Sequence, residues 1–588
     1  MRFLAFALLF ATSCGRAQEY SLGPDSQPHD GVPKGTVTKY QLEPGKFYPG
    51  TPHTYWVYVP AQYDASKPTP FMIYMDGSGP VGNSQRVPVV FDNLIARHEL
   101  PPLIGIFIDP GVLPAVSDAA QNRYERIFEY DSLSDRFASF LIGEVIPEVA
   151  KKYNLSSDPN DRGLAGTSTG AVAAFMAAWN RPDQFRRVIS LIGTFVSMKG
   201  ADAMPAFIRK TEPKPLRIFM QDGKKDHIVP AEPFGTFYAG SWPINNQVMF
   251  EALEYSGYDV KLEMGEGGHS GQHGASIMPD ILRWLWRDYP QPITVHEPAA
   301  MSQPGWDPRG KVFSIVSADK PWESVGGAYG SVTSPTADRN GNVYFADAAA
   351  NRIYGATSDG KVGVFRENTG GTTALAAGAD GRLYSSQSAH RRIVAYDPAG
   401  SGEKIIAQNM DVAGLAATAK GGLYFTDPAH KTIGYATPDG KVRMVYSGGE
   451  IAAPAGLALS ADQAMLIVTD RQSRFSWSFQ IVADGGLING EPFYRLEMPE
   501  TGWMSGVTGA MEDAAGQVYF ATPLGIQVCE ANGRVAAILN APGPGGVGGI
   551  AFSGDWMYAA QAGRLFRRAV KVKGAEVWSP VKLPKPPL

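Results

Sequence analysis

The chain has 588 residues but only two cysteines, Cys14 and Cys529. A disulfide framework is not what holds it together, and a chain of this length can build its core without one. Charge is also sparse: 19% of residues are Asp, Glu, Lys or Arg, and the formal net charge is −4. No long basic run or basic–aromatic stripe is present, so nothing in the electrostatics favours nucleic acid or an anionic membrane surface. No apolar run is long enough to span a bilayer. At 44% hydrophobic residues, the chain also lacks the composition of a disordered protein. What is left is a globular chain too long for one core, expected to divide into at least two domains.

The opening "MRFLAFALLFATSCGRAQEY" reads as a secretory signal. Arg2 supplies a positive n-region, Phe3 to Ala11 an apolar segment, and Gly15-Arg16-Ala17 a small-x-small site with cleavage expected after Ala17. This implies a secreted or periplasmic protein. "ATSC" resembles a lipoprotein box weakly, since the usual leucine is missing three positions before Cys14, so soluble export is preferred over a lipid anchor. Cleavage would leave Cys529 alone. Residues 18–44 are read as an N-terminal extension.

Beyond it the chain has two grammars. "TPFMIYMDG" (69–77), "LIGIFIDPG" (103–111), "RVISLIG" (187–193) and "LRIFMQDG" (216–223) are short apolar runs ending in Gly or Asp, as buried parallel strands are. Amphipathic stretches lie between them, such as 132–153, where Ser132 or Ser134 is placed to cap a helix. Strand and helix in alternation predict a doubly wound α/β sheet over 45–290. A Pro- and Gly-containing linker is expected at 291–320.

From there the motif around "NGNVYFAD" repeats, anchored at Tyr344, Tyr384, Tyr424, Ile467, Tyr519 and Tyr558. The spacings are 40, 40, 43, 52 and 39 residues, which predicts a six-bladed β-propeller over 321–575 and a tail at 576–588. The expected fold is therefore multidomain, an α/β part followed by an all-β part.

Within the α/β half, "GLAGTSTGAVAAF" contains Gly166-Thr167-Ser168-Thr169-Gly170. With 66 glycines in the chain, a G-x-S-x-G pattern arises by accident roughly 0.4 times, so context must give it weight. Here a strand precedes it and a helix follows, the arrangement of a nucleophile elbow. A serine hydroxyl is a weak nucleophile and needs a histidine base oriented by a carboxylate, in the chain order Ser, Asp, His for this fold. "QDGKKDHIVP" and "EGGHSGQHGA" follow later strands and supply both. Asp226 is the preferred acid with Asp222 as runner-up, and His269 the preferred base with His273 as runner-up. The oxyanion hole is expected from the Thr169 amide and from Gly77 or Ser78 in the glycine-rich turn "MDGSGPVG". Arg126 and Glu129, three apart in "RYERIFEY", read first as a structural ion pair and second as substrate contacts.

These blocks, in order, resemble the enterochelin esterase-type hydrolases, relatives of feruloyl and acetylxylan esterases and of the antigen 85 (esterase D) group. The resemblance covers roughly residues 45–290 and implies an α/β-hydrolase fold. It makes Ser168 the nucleophile, Asp226 the acid of a G-x-x-D motif and His269 the base of a G-G-H motif. The threonines at 167 and 169 depart from the residues common there, which alters the pocket lining more than the chemistry.

The C-terminal half is similar to the SMP-30/gluconolactonase/LRE family over roughly 325–570. Lactonases of that family hold a divalent cation with Glu, Asn and Asp side chains, and a hard cation does need such oxygens. The matching positions here read Thr333-Ser334-Pro335, Ala413-Gly414-Leu415, Pro454-Ala455-Gly456-Leu457 and Thr508-Gly509-Ala510. Alanine offers no side-chain ligand, and threonine no negative charge. The expectation is a propeller without the lactonase metal, acting as a glycan-binding or packing module. Asp347, Asp427 and Asp470, one per blade, read as turn devices, with His390 and His430 isolated.

The reading is an exported serine esterase that needs no cofactor and acts on small-molecule or glycan-linked esters, with carbohydrate contact by the propeller. A sugar-lactone hydrolase working through the propeller is the alternative, and a binding protein with two degenerate halves the third.

Overall fold

The computed structural model describes residues 20–229, 238–297 and 310–583. The signal segment 1–17 with Cys14, part of the expected linker, and the end of the expected tail lie outside the described residues. The chain forms two compact units, one drawn from residues up to 294 and the other chiefly from 295 onward.

The first unit is built on an eight-stranded sheet. Its strands are β1 (Thr36–Leu42), β2 (His53–Val59), β3 (Phe71–Met75), β4 (Ile104–Ile108), β5 (Arg162–Thr167), β6 (Arg187–Leu191), β7 (Arg217–Gly223) and β8 (Asp259–Gly265), in the order β1-β2-β4-β3-β5-β6-β7-β8. β1 and β2 run antiparallel to their neighbours, and the other pairings are parallel. The apolar runs β3, β4 and β6 are buried along their whole length, as strands covered on both faces must be. Helices α1 (Val87–Ala96), α2 (Thr169–Asn180), α3 (Trp242–Tyr255) and α4 (Met278–Leu285) complete the layers that concern the site. Phe91 and Leu94 of α1 join Leu282 and Leu285 of α4 and Phe107 of β4 in one core. The helical stretch expected at 132–153 runs over 136–150 with one wider π-type turn, and Ser134 Oγ accepts from the Arg136 amide at 3.3 Å.

The expected extension 18–44 is not separate from this unit. β1 lies inside it and pairs in register with β2, Thr36 opposite Val59. Its sequence, TVTKYQL, is an exposed edge strand with no apolar run to announce it.

The second unit is a propeller of six four-stranded sheets. The anchor residues Tyr344, Tyr384, Tyr424, Ile467, Tyr519 and Tyr558 each fall on the second strand of a blade. The 52-residue spacing reflects a fourth blade with a nine-residue outer strand, Leu487–Arg495, followed by a long connection. The sixth blade takes its outer strand from the start of the unit: Glu323–Val325 pairs with Arg564–Ala569. This closure joins the ends of the ring, a feature that a count of repeats does not reveal.

Part of the expected linker is structured. α5 (Gly310–Ile315) buries Val312 and Ile315 against Tyr519 and Val528 of the fifth blade. Within the expected tail, the Val581 amide donates to Ala461 O at 2.8 Å.

Candidate active site

Parallel strands bring their C-terminal ends to one edge of the sheet, and the predicted residues gather there. β5 ends at Thr167, α2 begins at Thr169, and Ser168 between them has φ 60° and ψ −122°. A non-glycine residue there is strained by about 1–3 kcal/mol, and the turn persists because its surroundings over-determine it. The Ser168 amide donates to Leu191 O at 2.9 Å, and the Thr194 amide donates to Ser168 O at 3.2 Å. A Cβ at Gly166 would lie 2.0 Å from Gly170 O, so the backbones of β5 and α2 meet where only glycine fits. The first glycine of the G-x-S-x-G pattern is thus a packing requirement in this chain.

His269 Nε2 lies 3.0 Å from Ser168 Oγ, and its Nδ1 lies 2.8 and 3.0 Å from the two Asp226 carboxylate oxygens. A ring nitrogen facing a carboxylate carries the proton, which leaves the Nε2 lone pair toward the serine hydroxyl. The imidazole is held in plane by His227, stacked 4.5 Å away, and edge-on by Trp242 at 5.6 Å. Asp226 is fully buried and also accepts from the His227 amide at 2.6 Å. Burial pushes its carboxyl up, but the hydrogen bonds from His269 and Asp222 outweigh this and hold it below the usual carboxylate range.

The runners-up occupy other places. Asp222, at the end of β7, stands behind Asp226 and does not take the imidazole. His273 is buried, stacks on Tyr20 at 4.3 Å and meets the Gln221 side chain at 3.1 Å. Burial lowers its pKa. As a substrate contact it has little surface to offer.

Two expectations need correction. Arg126 and Glu129 do not pair. Arg126 makes a bidentate bridge to Asp76, 2.7 Å at each oxygen, and reaches Thr167 O at 3.3 Å. Glu129 is buried, 3.0 Å from His53 and accepting from the Gly111 amide at 3.1 Å, so it cannot meet a substrate. Their helix is a single five-residue turn, too short to set partners by i,i+3 spacing, and the strand ends claimed each side chain. The glycine-rich turn is also committed elsewhere. The Gly77 amide donates to Ile108 O at 3.0 Å and the Ser78 amide to Asp109 Oδ1 at 2.8 Å. Gly77 is glycine for a different reason: a Cβ there would lie 2.3 Å from the Phe107 carbonyl carbon. The Thr169 amide, at the first position of α2, has no acceptor inside its own helix and stays available for an oxyanion.

Thr194 was not singled out from the sequence. Its Oγ1 lies 3.1 Å from Ser168 Oγ and accepts from Trp242 Nε1 at 3.3 Å. No motif marks it, because it follows β6 and meets Ser168 only through the fold. Thr194→Val should lower kcat/KM for p-nitrophenyl acetate by about 5- to 10-fold, the worth of one hydrogen bond, while Thr194→Ser stays within about twofold. Equal activity of the valine and serine variants would show that this hydroxyl does not matter.

Asp226, His227 and His269 also place three potential metal-donor atoms within 4.8 Å of one another. Asp226 and both nitrogens of His269 are already engaged in the chain to Ser168. In the propeller, a central cavity of about 510 Å³ is lined by Ser334, Ala413, Gly456 and Thr508 at the starts of the inner strands. None of these is an acid, and Thr508 Oγ1 donates to Val547 O at 2.9 Å. Two acids line the cavity, Glu576, which accepts from Trp578 Nε1 at 3.0 Å, and Glu512, which ends the strand that Thr508 precedes, accepts from the Ala461 amide and is pushed up to about 7 by burial. Asp347 accepts from the Ala350 amide of its own turn and from the Ser331 amide of the preceding loop, Asp470 likewise from the Gln472 and Ala453 amides, and Asp427 pairs with His430 at 2.8 Å, so His430 is not isolated.

Comparison with known proteins agrees with this division. Residues 48–277 match the Esterase family model ("Putative esterase"), and residues 332–559 match the SMP-30/Gluconolactonase/LRE-like region. The chain is thus an esterase-type domain followed by a six-bladed β-propeller. Among curated proteins it is similar to the uncharacterized protein YbbA of Bacillus subtilis (strain 168), with 25% identity over 29% of this chain and 67% of that one. It is also similar to the iron(III) enterobactin esterase of Dickeya dadantii (strain 3937), with 24% identity over 42% of this chain and 53% of that one. The match thus spans about half the length of that esterase. Among solved structures, a gluconolactonase of Xanthomonas campestris shares 18% identity over 47% of this chain and 96% of its own, with a TM-score of 0.40. No helix among the described residues is long and apolar enough to cross a membrane.

Proposed function

We propose that the protein is an exported serine hydrolase of carboxylic esters, with Ser168 as nucleophile, His269 as general base and Asp226 as the orienting acid. The observation that carries this reading is the unbroken hydrogen-bond chain Ser168–His269–Asp226 on a strained elbow. His269 Nε2 takes the hydroxyl proton as Ser168 Oγ attacks the ester carbonyl, and Asp226 stabilises the imidazolium. The Thr169 amide receives the developing oxyanion. His269 then returns the proton to the leaving alcohol, and water repeats the sequence to release the acid. The substrates are small-molecule or glycan-linked esters, of the acyl or feruloyl sugar type or the siderophore type; the similarity to an enterobactin esterase supports the latter. The signal-like N-terminus supports a secreted or periplasmic site, and the propeller is a module without a lactonase metal that contacts carbohydrate. A fluorophosphonate probe should label the native protein at Ser168 by peptide mass spectrometry. Labelling elsewhere, or none, would overturn the assignment.

A further inference from the structure

Asp222 is fully buried at the end of β7, across the turn that the Asp226 amide closes by donating to Gly223 O at 3.0 Å, and its carboxyl group lies beside that of Asp226. Two carboxyl groups side by side and out of water do not both ionise, so one of them carries a proton, and their surroundings decide which. Asp226 faces donors, the His227 amide and His269 Nδ1, and serves them as an acceptor. On Asp222, Oδ1 accepts from the Gly223 amide at 2.7 Å and Oδ2 from Asn246 Nδ2 at 2.9 Å. Asn246 is itself buried on α3 and also donates to Gly193 O at 2.8 Å, at the end of β6. The acid is therefore anchored from β7, α3 and the β6 loop, beside the Asp226 carboxylate.

We propose that Asp222 is a positioning residue for ester hydrolysis, a neutral carboxylic acid that donates a hydrogen bond to Asp226 and fixes the carboxylate that orients His269. Two buried carboxylates in contact cannot both ionise, and the one left uncharged becomes a donor. Burial first, and then contact with the Asp226 carboxylate and its charge, push Asp222 up, in the same direction as the geometry. The titratable group bearing on it is Asp226, while α3 contributes the neutral Asn246. The arrangement extends the chain to four members, Asp222–Asp226–His269–Ser168. It acts on kcat through the orientation of the base and makes no contact with substrate.

This inference rests on the proposed ester hydrolysis, and its test separates the two. Asp222→Asn keeps a neutral donor of the same shape; Asp222→Ala removes it. With p-nitrophenyl acetate, the alanine variant should lose about 10- to 100-fold in kcat, the range for a hydrogen bond to a charged group, with KM little changed. The asparagine variant should restore kcat to within about threefold of the native protein. The second readout needs no substrate. A group whose folded pKa is raised stabilises most below its unfolded pKa, near pH 4, and that contribution is lost as pH rises toward the folded value. The Tm of the native protein should therefore fall relative to Asp222→Asn between pH 5 and pH 9. If the asparagine variant is as slow as the alanine variant, or the Tm difference is flat with pH, the proposal for Asp222 is overturned. Loss of fluorophosphonate labelling at Ser168 in the native protein would instead overturn the ester-hydrolase reading, and the Tm comparison would still judge Asp222.

Discussion

Ser168→Ala should abolish hydrolysis of p-nitrophenyl acetate, lowering kcat/KM by at least about 10³-fold, or about 4 kcal/mol of transition-state stabilisation. The size follows from the role. A spectator hydroxyl accounts for about one hydrogen bond, whereas a nucleophile removes the covalent route altogether. The substitution deletes a single atom at a position where the backbone stays as it was: Gly166 still meets Gly170, and the Ser168 amide still donates to Leu191 O. Far-ultraviolet circular dichroism and Tm should hardly change. Turnover within tenfold of the native value would place the chemistry elsewhere, and hydrolysis of a sugar lactone by the same variant would direct attention to the propeller.

The contrast between what the residues disclosed and what they hid has a physical basis. Ser168, Asp226 and His269 were legible because each follows a strand, β5, β7 and β8, and a parallel sheet collects such loops at one edge. The propeller was legible because its anchors recur at nearly constant spacing. Interactions that depend on where two loops meet were not. Arg126 chose Asp76 over Glu129 because a five-residue helix does not fix its neighbours. Asp76 itself sits at φ 53° in a turn that reads simply as Gly-rich, and its role as partner to Arg126 appears only in three dimensions. Thr194 and Asn246 carry no motif. The amides of Gly77 and Ser78 looked available because the sequence shows a turn's residues and not its hydrogen bonds. β1, polar and at an edge, has no apolar signal to find, and the strand that closes the sixth blade lies some 240 residues from its partner.

Asp226→Asn is the second large loss, about 10³- to 10⁴-fold in kcat with KM little affected. An amide can present its NH₂ to Nδ1 and so favour the tautomer with the proton on Nε2, the wrong one for accepting from Ser168. Even with the amide oxygen toward the ring, no negative charge meets the imidazolium formed in the transition state. The same substitution also reads the carboxyl pair from the other side. Asp226 is held below the usual range, so its contribution to stability is present above about pH 4 and is lost as pH falls through its folded value. The Tm deficit of Asp226→Asn should therefore shrink on acidification toward pH 3. Asp222 has the opposite sign, so Asp222→Asn should gain on the native protein as pH rises. Opposed pH slopes from two aspartates four residues apart would require one ionised and one protonated carboxyl side by side. Parallel slopes would mean that both are charged, and the carboxylate behind His269 would then lack the neutral donor that fixes it.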